Sequence, residues 1–307
     1  MTIQQKLQFI IKLSGSTQEE LARQLGVTFA AFNRWINGKA IPRPRAVEKI
    51  DELYLRYSGE KQIPESLLEV KKTFIAKRQK SNPHVIKTIL SFPDIHDQFI
   101  LSLTYHSNKI EGSTLSEDET ADILFRNRTI KTKSVIEHLE AKNHQAALEY
   151  VFEYMSKKGV VDEAFIVRLH TILMNAIRHD AGMYRNHNVR ILGTYVPTAN
   201  HLKVAVLMKE LIRDVQKRSS DYIHSIADIH SRFEKIHPFG DGNGRVGRLL
   251  MHAMALRSNL PPVVIRSEYK KLYMTYLNKS QMTEDLSLLE DFACDALLEG
   301  YGILERT

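Results

Sequence analysis

The residues with the most evident chemistry lie in one stretch of twelve, from His237 to Arg248, with the sequence HPFGDGNGRVGR. The stretch combines an imidazole, a carboxylate, several glycines and two arginines. Guanidinium groups match phosphate oxygens two at a time. The His237 imidazole, with an ordinary pKa of roughly 6.5, can accept a proton from a hydroxyl near neutral pH. The stretch therefore predicts a site that handles a polyphosphate.

The sequence on either side of this stretch predicts two helices. Apolar residues recur every three or four positions through residues 221–236, which is typical of an amphipathic helix. From Arg245 onward the chain is mostly apolar, which indicates a buried helix. Gly242 and Gly244 thus fall where a helix begins, and there about four backbone N–H groups lack internal partners and the macrodipole is positive. We expect an anion-binding cradle at this point.

The side chains beside the cradle suggest how a nucleotide is held. Arg245 and Arg248 are three residues apart, so we expect both to project from one helix face towards the same ligand. A bare phosphate would repel Asp241, and its presence is explained if a divalent ion bridges its carboxylate to the nucleotide. We therefore expect Asp241 to be a ligand of Mg²⁺.

Other phosphate and metal sites fit the stretch less well. Residues 242–247 match the GxGxxG dinucleotide fingerprint, but that fingerprint needs a preceding strand, and a helix is predicted here. No Gly-Lys-Ser/Thr follows the glycines, which excludes a P-loop. His224, His230 and His237 lack the cysteine or HExxH pattern of a zinc site. Nucleotide binding remains the better interpretation.

The stretch resembles the Fic-domain signature, His-x-Phe-x-Asp/Glu-Gly-Asn-Gly-Arg-x-x-Arg, at every defined position. The resemblance implies that AMP passes from ATP to a target Tyr, Ser or Thr hydroxyl and that pyrophosphate is released. Residue by residue it implies a general base at His237, a magnesium ligand at Asp241, an anion hole at Gly242, Asn243 and Gly244, and phosphate contacts from Arg245 and Arg248. Phosphocholine and other nucleotide transfers stay open, because the loop reads phosphates rather than bases.

A segment upstream resembles the flap of the same family. β-branched and aromatic residues surround Gly193 in VRILGTYVP, residues 189–197, which is a hairpin signal. The resemblance implies that Val189, Ile191, Gly193 and Tyr195 pair with an extended target segment. Main-chain pairing of this kind would place a target hydroxyl over His237.

A second upstream segment, SNKIEG from Ser107 to Gly112, resembles the inhibitory motif Ser/Thr-x-x-x-Glu-Gly/Asn of the family. Ser107 and Glu111 are four residues apart and share a face of a helix around residues 105–112, which Gly112 is placed to end. The resemblance implies that Glu111 pairs with Arg248 and occupies the fork that the γ phosphate needs. Glu111 could instead position water for the removal of AMP from a target, and that reaction stays open.

Composition and charge define the rest of the chain. With 307 residues and 43% hydrophobic content, it is long enough for one large and one small domain. The single cysteine, Cys294, excludes a disulfide framework and favours a reducing compartment. No apolar run approaches about 18 residues and no signal-peptide core is present, so we expect a cytoplasmic protein without a membrane partner.

The net charge of +7 lies entirely in the first 80 residues. Residues 1–57 contain nine Lys/Arg and five Asp/Glu, residues 58–80 contain six and three, and residues 81–307 contain 28 of each. A basic excess confined to a small module predicts an acidic partner.

Residues 1–57 resemble the lambda-repressor-like helix-turn-helix family. A helix start with capping residues at Ser16–Glu20, a turn at Gly26 and a helix end at Asn37–Gly38 support this. The resemblance implies DNA as the partner, with contacts from Thr28, Asn33, Arg34, Lys39 and Arg43. The apolar run from Phe29 to Ala31 is unusual on a DNA-reading surface, so a protein-interaction module stays open.

Together these features predict a mainly α protein. Residues 1–57 would form the helix-turn-helix domain, residues 58–80 a linker, and residues 81–307 a helical Fic domain with a short β-hairpin flap. The predicted activity is AMP transfer from ATP with Mg²⁺, including self-modification. The alternative from another functional class is a DNA-binding regulator whose Fic domain senses a nucleotide. The intact His237 argues against this alternative, because sensing needs no base.

Overall fold

The computed structural model describes residues 1–191, 196–217 and 219–306, and within these ranges the regular structure is helical, with no β-strand. In chain order the α-helices are α1 (Ile3–Ser14), α2 (Gln18–Leu25), α3 (Phe29–Ile36), α4 (Pro44–Ser58), α5 (Glu65–Ser81), α6 (Val85–Ser91), α7 (Pro93–Glu111), α8 (Glu117–Arg126), α9 (Val135–Ser156), α10 (Glu163–Leu173), α11 (Val204–Gln216), α12 (Tyr222–Ile236), α13 (Asn243–Arg257), α14 (Lys270–Thr283) and α15 (Ser287–Leu304). The mainly α prediction is confirmed. No helix in the described ranges combines the length and hydrophobicity needed to cross a membrane.

The chain divides into two compact units. The first contains Met1–Pro64 and Glu268–Leu289, and the second contains Glu65–Ser267 and Glu290–Thr307. Helix α5 belongs to the second unit, so most of the segment expected as a linker over residues 58–80 is a 17-residue helix of that unit. Helix α14 belongs to the first unit, although the sequence suggests a single Fic domain over residues 81–307.

The first unit is built on helices α1 to α4. Thr17 caps α2 through a reciprocal capping box with Glu20, which satisfies two backbone N–H groups at the helix start. Gly26 ends α2 in the left-handed conformation, which glycine adopts without steric cost. Helix α14 packs against α1 and α4, and Lys271 Nζ donates to the carbonyl of Lys12 at 2.9 Å.

The second unit is organised around α13, which packs against α7, α9, α10 and α12. Every residue of α13 from Arg245 to Leu256 is buried, as expected for a helix with neighbours on all sides. Helix α12 ends at Ile236 and α13 begins at Asn243, so the glycine-rich stretch forms the loop between them. Helix α7 ends at Glu111, and Gly112 follows in the left-handed conformation with φ of 109°.

Candidate active site

His237 terminates α12 in the left-handed conformation, with φ of 52° and ψ of 61°. This backbone is uncommon for a residue other than glycine and persists only when neighbours hold it. The buried side chain of Arg185 does so, because its Nε donates to the His237 carbonyl at 2.7 Å and its guanidinium also bonds the carbonyls of Ile236 and His187. A buried arginine therefore fixes the backbone at the predicted base.

The hydrogen bond at Nδ1 sets the tautomer of His237. Nδ1 lies 3.2 Å from the carbonyl oxygen of Glu234, and a carbonyl can only accept, so Nδ1 carries the proton and Nε2 keeps its lone pair. Burial lowers the pKa of the imidazole below its ordinary value, against a smaller opposing effect of the Glu234 carbonyl. His237 is therefore neutral near pH 7, the form a general base requires.

Phe239 anchors the loop in the core. It is fully buried and stacks on His170 with ring centroids 3.8 Å apart. The Asn243 side chain closes the loop on both sides of Phe239, since Oδ1 accepts from its N–H at 2.8 Å and Nδ2 donates to its carbonyl at 2.9 Å. Asn243 thus positions the loop through its amide, while its role in the predicted anion hole depends on its backbone.

His170 of α10 supports the loop in a way that the sequence does not reveal. Its Nδ1 accepts from the Gly182 N–H at 2.8 Å, so Nε2 is protonated and donates to the carbonyl of Asp241 at 3.1 Å. Burial lowers the pKa of His170 to about 4, which keeps this neutral tautomer at physiological pH. No motif surrounds His170 in the sequence, and only the packing of α10 against α13 brings it to the loop.

Helix α13 begins at the loop without a side-chain cap at Gly242. Its first N–H groups and the positive end of its dipole lie where the glycines predict an anion cradle. A Cβ at Gly242 would lie 2.9 Å from Sδ of Met174, and Gly242 has a φ of +75°, so this position requires glycine for both space and conformation. A Cβ at Gly244 would lie 2.3 Å from Oε1 of Glu111, which places that carboxylate at the mouth of the cradle.

Asp241 precedes the cradle and its side chain is exposed. The Gly242 N–H donates to its Oδ1 at 2.6 Å, which orients the carboxylate beside the helix start. No group of three or more His, Cys, Asp or Glu residues suited to a metal is found within the described residues. One carboxylate beside a phosphate cradle still fits Mg²⁺, which is commonly bound by one or two carboxylates together with substrate phosphates and water.

The Asp241→Ala variant is expected to lose about 10²-fold of its Mg²⁺-dependent turnover, because the ion loses the carboxylate that lies beside the start of α13. Turnover is measured as a function of Mg²⁺ concentration in the wild type and the variant. Partial rescue by excess Mn²⁺ supports the ligand role. An unchanged Mg²⁺ dependence would contradict it.

The two arginines of the stretch have different partners. Arg245 is buried and its Nη1 donates to Oε1 of Glu140, on α9, at 2.7 Å. Arg248 bonds residues of α7 instead. Each guanidinium is therefore held by a different helix, and the expectation that both arginines contact one ligand stays a prediction. Glu140 has no motif around it in the sequence.

Arg248 is held by both residues of the predicted inhibitory motif. Its Nε donates to Oγ of Ser107 at 2.9 Å, and its Nη2 donates to the carbonyl of Ser107 at 3.1 Å and to Oε1 of Glu111 at 2.6 Å. The Arg248 side chain is 3% exposed, whereas that of Glu111 is 38% exposed. The carboxylate therefore approaches from the open side of the site and covers a guanidinium that is otherwise enclosed.

The loop and the helices around it lie in a region that matches a known protein family. The Fic/DOC family profile matches residues 160–255, and a helix-turn-helix profile matches residues 7–55. This chain contains a Fic domain. The Fic/DOC match contains His237, the loop and both arginines, and the inhibitory segment lies upstream of it.

Similar proteins share the region around the Fic domain. The chain is 33% identical over 183 residues to a protein adenylyltransferase Fic from Nematostella vectensis and 30% identical over 178 residues to one from Aedes aegypti. These matches cover 57% and 56% of this chain but 42% and 35% of the relatives, so the chain spans less than half their length. A Fic-domain-containing signalling protein from Bacteroides thetaiotaomicron superimposes with a TM-score of 0.64 at 24% identity, over 76% of this chain and 97% of that one.

The predicted flap is only partly described. Val189 and Ile191 lie in irregular chain rather than in strands, and the Val189 carbonyl accepts from Oγ1 of Thr198 at 2.6 Å. Gly193 and Tyr195 lie outside the described residues. The β-hairpin is therefore not seen in the part of the Fic domain that the structure describes.

The candidate DNA contacts lie on the first unit. Arg34, Lys39 and Arg43 are exposed. The hydroxyl of Thr28 caps α3 by accepting from Ala31, and Asn33 donates to Gln18 of α2 at 3.3 Å. The three cations are therefore available to phosphates, while Thr28 and Asn33 already have structural roles.

Proposed function

We propose that the chain is a protein adenylyltransferase that transfers AMP from ATP to a Tyr, Ser or Thr hydroxyl of a target protein. The observation that carries this proposal is the placement of a neutral His237, with Nε2 unprotonated, at the end of α12, on the short loop that leads into the uncapped start of α13. A base beside an anion cradle suits attack by a hydroxyl on a phosphate. The names of the Fic relatives support the choice of AMP as the transferred group.

The proposed reaction assigns a step to each group. His237 Nε2 takes the proton as the target O–H bond breaks, and the hydroxyl oxygen bonds to the α phosphorus of ATP. The bond from that phosphorus to the bridging oxygen breaks, and pyrophosphate leaves. The N–H groups at the start of α13 stabilise the negative charge on the α phosphate. Asp241 would hold Mg²⁺, which supplies positive charge against the phosphate oxygens when it is bound.

We infer that Glu111 restrains this activity. An arginine fork offers its donors to a phosphate in the same geometry as to a carboxylate. Two of the donors of Arg248 are already directed at Ser107 and Glu111. A γ phosphate that binds Arg248 must displace the Glu111 carboxylate, so ATP bound beside an undisplaced Glu111 would be tilted out of line for attack.

Labelled nucleotides test the proposed transfer directly. The full chain is incubated with Mg²⁺, cell lysate and ATP labelled at either the α or the γ phosphorus. We expect protein to be labelled from α-labelled ATP only. Label from the γ position would instead indicate phosphoryl transfer, and label from choline-labelled CDP-choline would indicate phosphocholine transfer.

Removal of AMP is a second candidate for the same site. The Glu111 carboxylate lies over the cradle and is partly exposed, so it could orient a water molecule towards a bound phosphodiester. Release of AMP from a pre-modified target, measured in the wild type and in Glu111→Gly, separates the two reactions. Loss of release in the variant would favour AMP removal.

We further propose that the first unit binds DNA. Replacing Arg34, Lys39 and Arg43 together with alanine should weaken binding and lower the slope of log affinity against log salt by up to about 2.7, since each phosphate contact contributes about 0.9. Substitution in the full chain is preferable to deletion of residues 1–57, because deletion would uncover α14. Lys157→Ala, at an exposed lysine that directly follows α9, is the matched control. If the wild type shows no mobility shift even at low salt, the protein-interaction alternative is favoured.

A further inference from the structure

Glu234 is a buried carboxyl group that the proposed reaction does not yet use. It lies on α12, three residues before His237, and is 6% exposed. Its Oε2 is 3.8 Å from Nδ1 of His237. Because Nδ1 also faces the Glu234 carbonyl, one residue approaches the proton-bearing side of the imidazole with both its main chain and its side chain.

The surroundings of Glu234 leave one of its two carboxyl oxygens without a hydrogen bond. Within the described residues, its Oε1 has no hydrogen-bond partner. A Cβ at Gly247 would lie 2.4 Å from Oε1, so the glycine at this position of α13 makes room for the carboxyl group. A buried carboxyl oxygen without a partner is costly to the fold, and costs of this kind concentrate at functional sites.

We propose that Glu234 is a positioning residue for His237. The Glu234 carboxyl group lies against Nδ1 of the imidazole and, when ionised, stabilises the positive charge that the ring acquires. This role rests on the proposed AMP transfer. The proton leaves the target oxygen and bonds to Nε2, and the proton on Nδ1 stays on the ring. The Glu234 carboxylate neither gains nor loses a proton in the step, and its negative charge makes Nε2 a stronger base.

The proposal predicts a pH dependence. Burial raises the pKa of Glu234 to about 8, the positive charge of Arg248 lowers it, and the negative charge of Glu111 raises it. His237 is neutral well below that pH, because burial lowers the pKa of its imidazole. Ionisation of Glu234 should therefore add a second rise in rate near pH 8, after the first rise that belongs to His237.

The other titratable and charged groups around this pair do not account for a rise near pH 8. These groups lie on α12 and on the segments near it. They are His230, Arg232, Asp214, Arg248, His252, Glu111, Arg185 and Asp241. Burial lowers the pKa of both His230 and His252 to about 3. Hydrogen bonds from Lys217 and Arg232 lower the pKa of the Asp214 carboxyl group.

The test compares Glu234→Gln with its parent in a Glu111→Gly background, where the proposed restraint is absent. Initial rates of AMP transfer are measured from pH 6 to 9.5. We expect the parent to exceed the Gln variant by about tenfold at pH 9 in kcat, with the same KM for ATP and with the second rise missing in the variant. Glu234→Asp should retain part of the second rise. Asp228→Asn, which changes an Arg232 partner on the same helix, should leave the profile unchanged.

Two measurements that do not depend on catalysis test the role of Glu234 separately from the proposed AMP transfer. NMR signals of the His237 ring should show a second titration in the parent and none in Glu234→Gln. In the parent it should lie below pH 8, because the Glu111 charge that helps to raise the pKa of Glu234 is absent. The folded pKa of Glu234 lies above the unfolded value of 4.5, so the parent should lose thermal stability relative to the Gln variant as pH rises from about 4.5 to about 8. Identical pH–rate profiles, or no second ring titration in the parent, would overturn the proposal. Absence of AMP transfer at every pH, with the second ring titration present, would overturn the proposed function alone.

Discussion

Replacing His237 with alanine is expected to reduce AMP transfer by about 10²- to 10⁴-fold, the usual contribution of a positioned general base. The loss should appear in kcat, because the imidazole acts on the target hydroxyl in the transition state. ATP binding should survive, since the cradle consists of backbone N–H groups at the start of α13 and of arginines that contact other helices.

The measurements are a radiolabel transfer assay and a separate ATP-binding titration on the same preparations. His224→Ala is the matched control, because His224 is on the same helix but its side chain is 52% exposed and bonds Glu290. The control should keep wild-type turnover. Unchanged turnover in His237→Ala would refute the assignment of the base, and a parallel loss of ATP binding would show that the loop itself had collapsed.

The chemistry of this site is largely predictable from sequence because it is local. His237, Asp241 and the two glycines of the cradle fall within eight residues, and a glycine-rich helix start leaves the backbone few other conformations. The contact of Arg248 with Ser107 and Glu111 joins residues that are 141 and 137 positions apart, yet it too is anticipated, because the inhibitory motif has its own spacing on one helix face. The family resemblance predicts that the two segments meet, and no property of the intervening chain does so.

The groups that hold the site in place are not predictable in the same way. His170, Glu140 and Glu234 are single polar residues in helical sequence, and nothing in their neighbours distinguishes them from surface positions. Tertiary packing buries or pairs each of them at the loop. Their contribution becomes visible only when burial and hydrogen-bond partners are known.

The division of the chain is also set by long-range packing. Residues 58–80 contain glycine, proline and a basic run, which favour a linker, but α5 buries Leu68 and Ile75 in the second unit. Helix α14 follows the Fic profile in sequence and still packs with α1 and α4. Local sequence cannot specify which of two cores receives a helix with one apolar face.

Glu111→Gly is expected to raise AMP transfer about 10- to 100-fold, including transfer to the protein's own hydroxyl groups. Its carboxylate bonds a guanidinium that is 3% exposed, and hydrogen bonds to charged groups contribute about 1.5–3 kcal/mol each, which corresponds to that range of rates. Removal of the side chain leaves Arg248 to the γ phosphate. Glu111→Gln should give a smaller gain, since it keeps the shape of the side chain but loses its charge.

The double variant decides whether the gain acts through Arg248. Arg248→Ala alone should be poorly active because the γ phosphate loses its anchor, and Glu111→Gly combined with Arg248→Ala should resemble Arg248→Ala. Self-modification is measured with α-labelled ATP, and His237→Ala in the Glu111→Gly background shows that the signal requires the base. The contrary outcome is that the Glu111→Gly variant modifies itself no more than the wild type does, in an assay whose signal depends on His237. In that case the contact between Glu111 and Arg248 stabilises the fold without restraining the enzyme. An additive loss in the double variant would show that Glu111 acts on another part of the site, of which the cradle at Gly244 is the nearest.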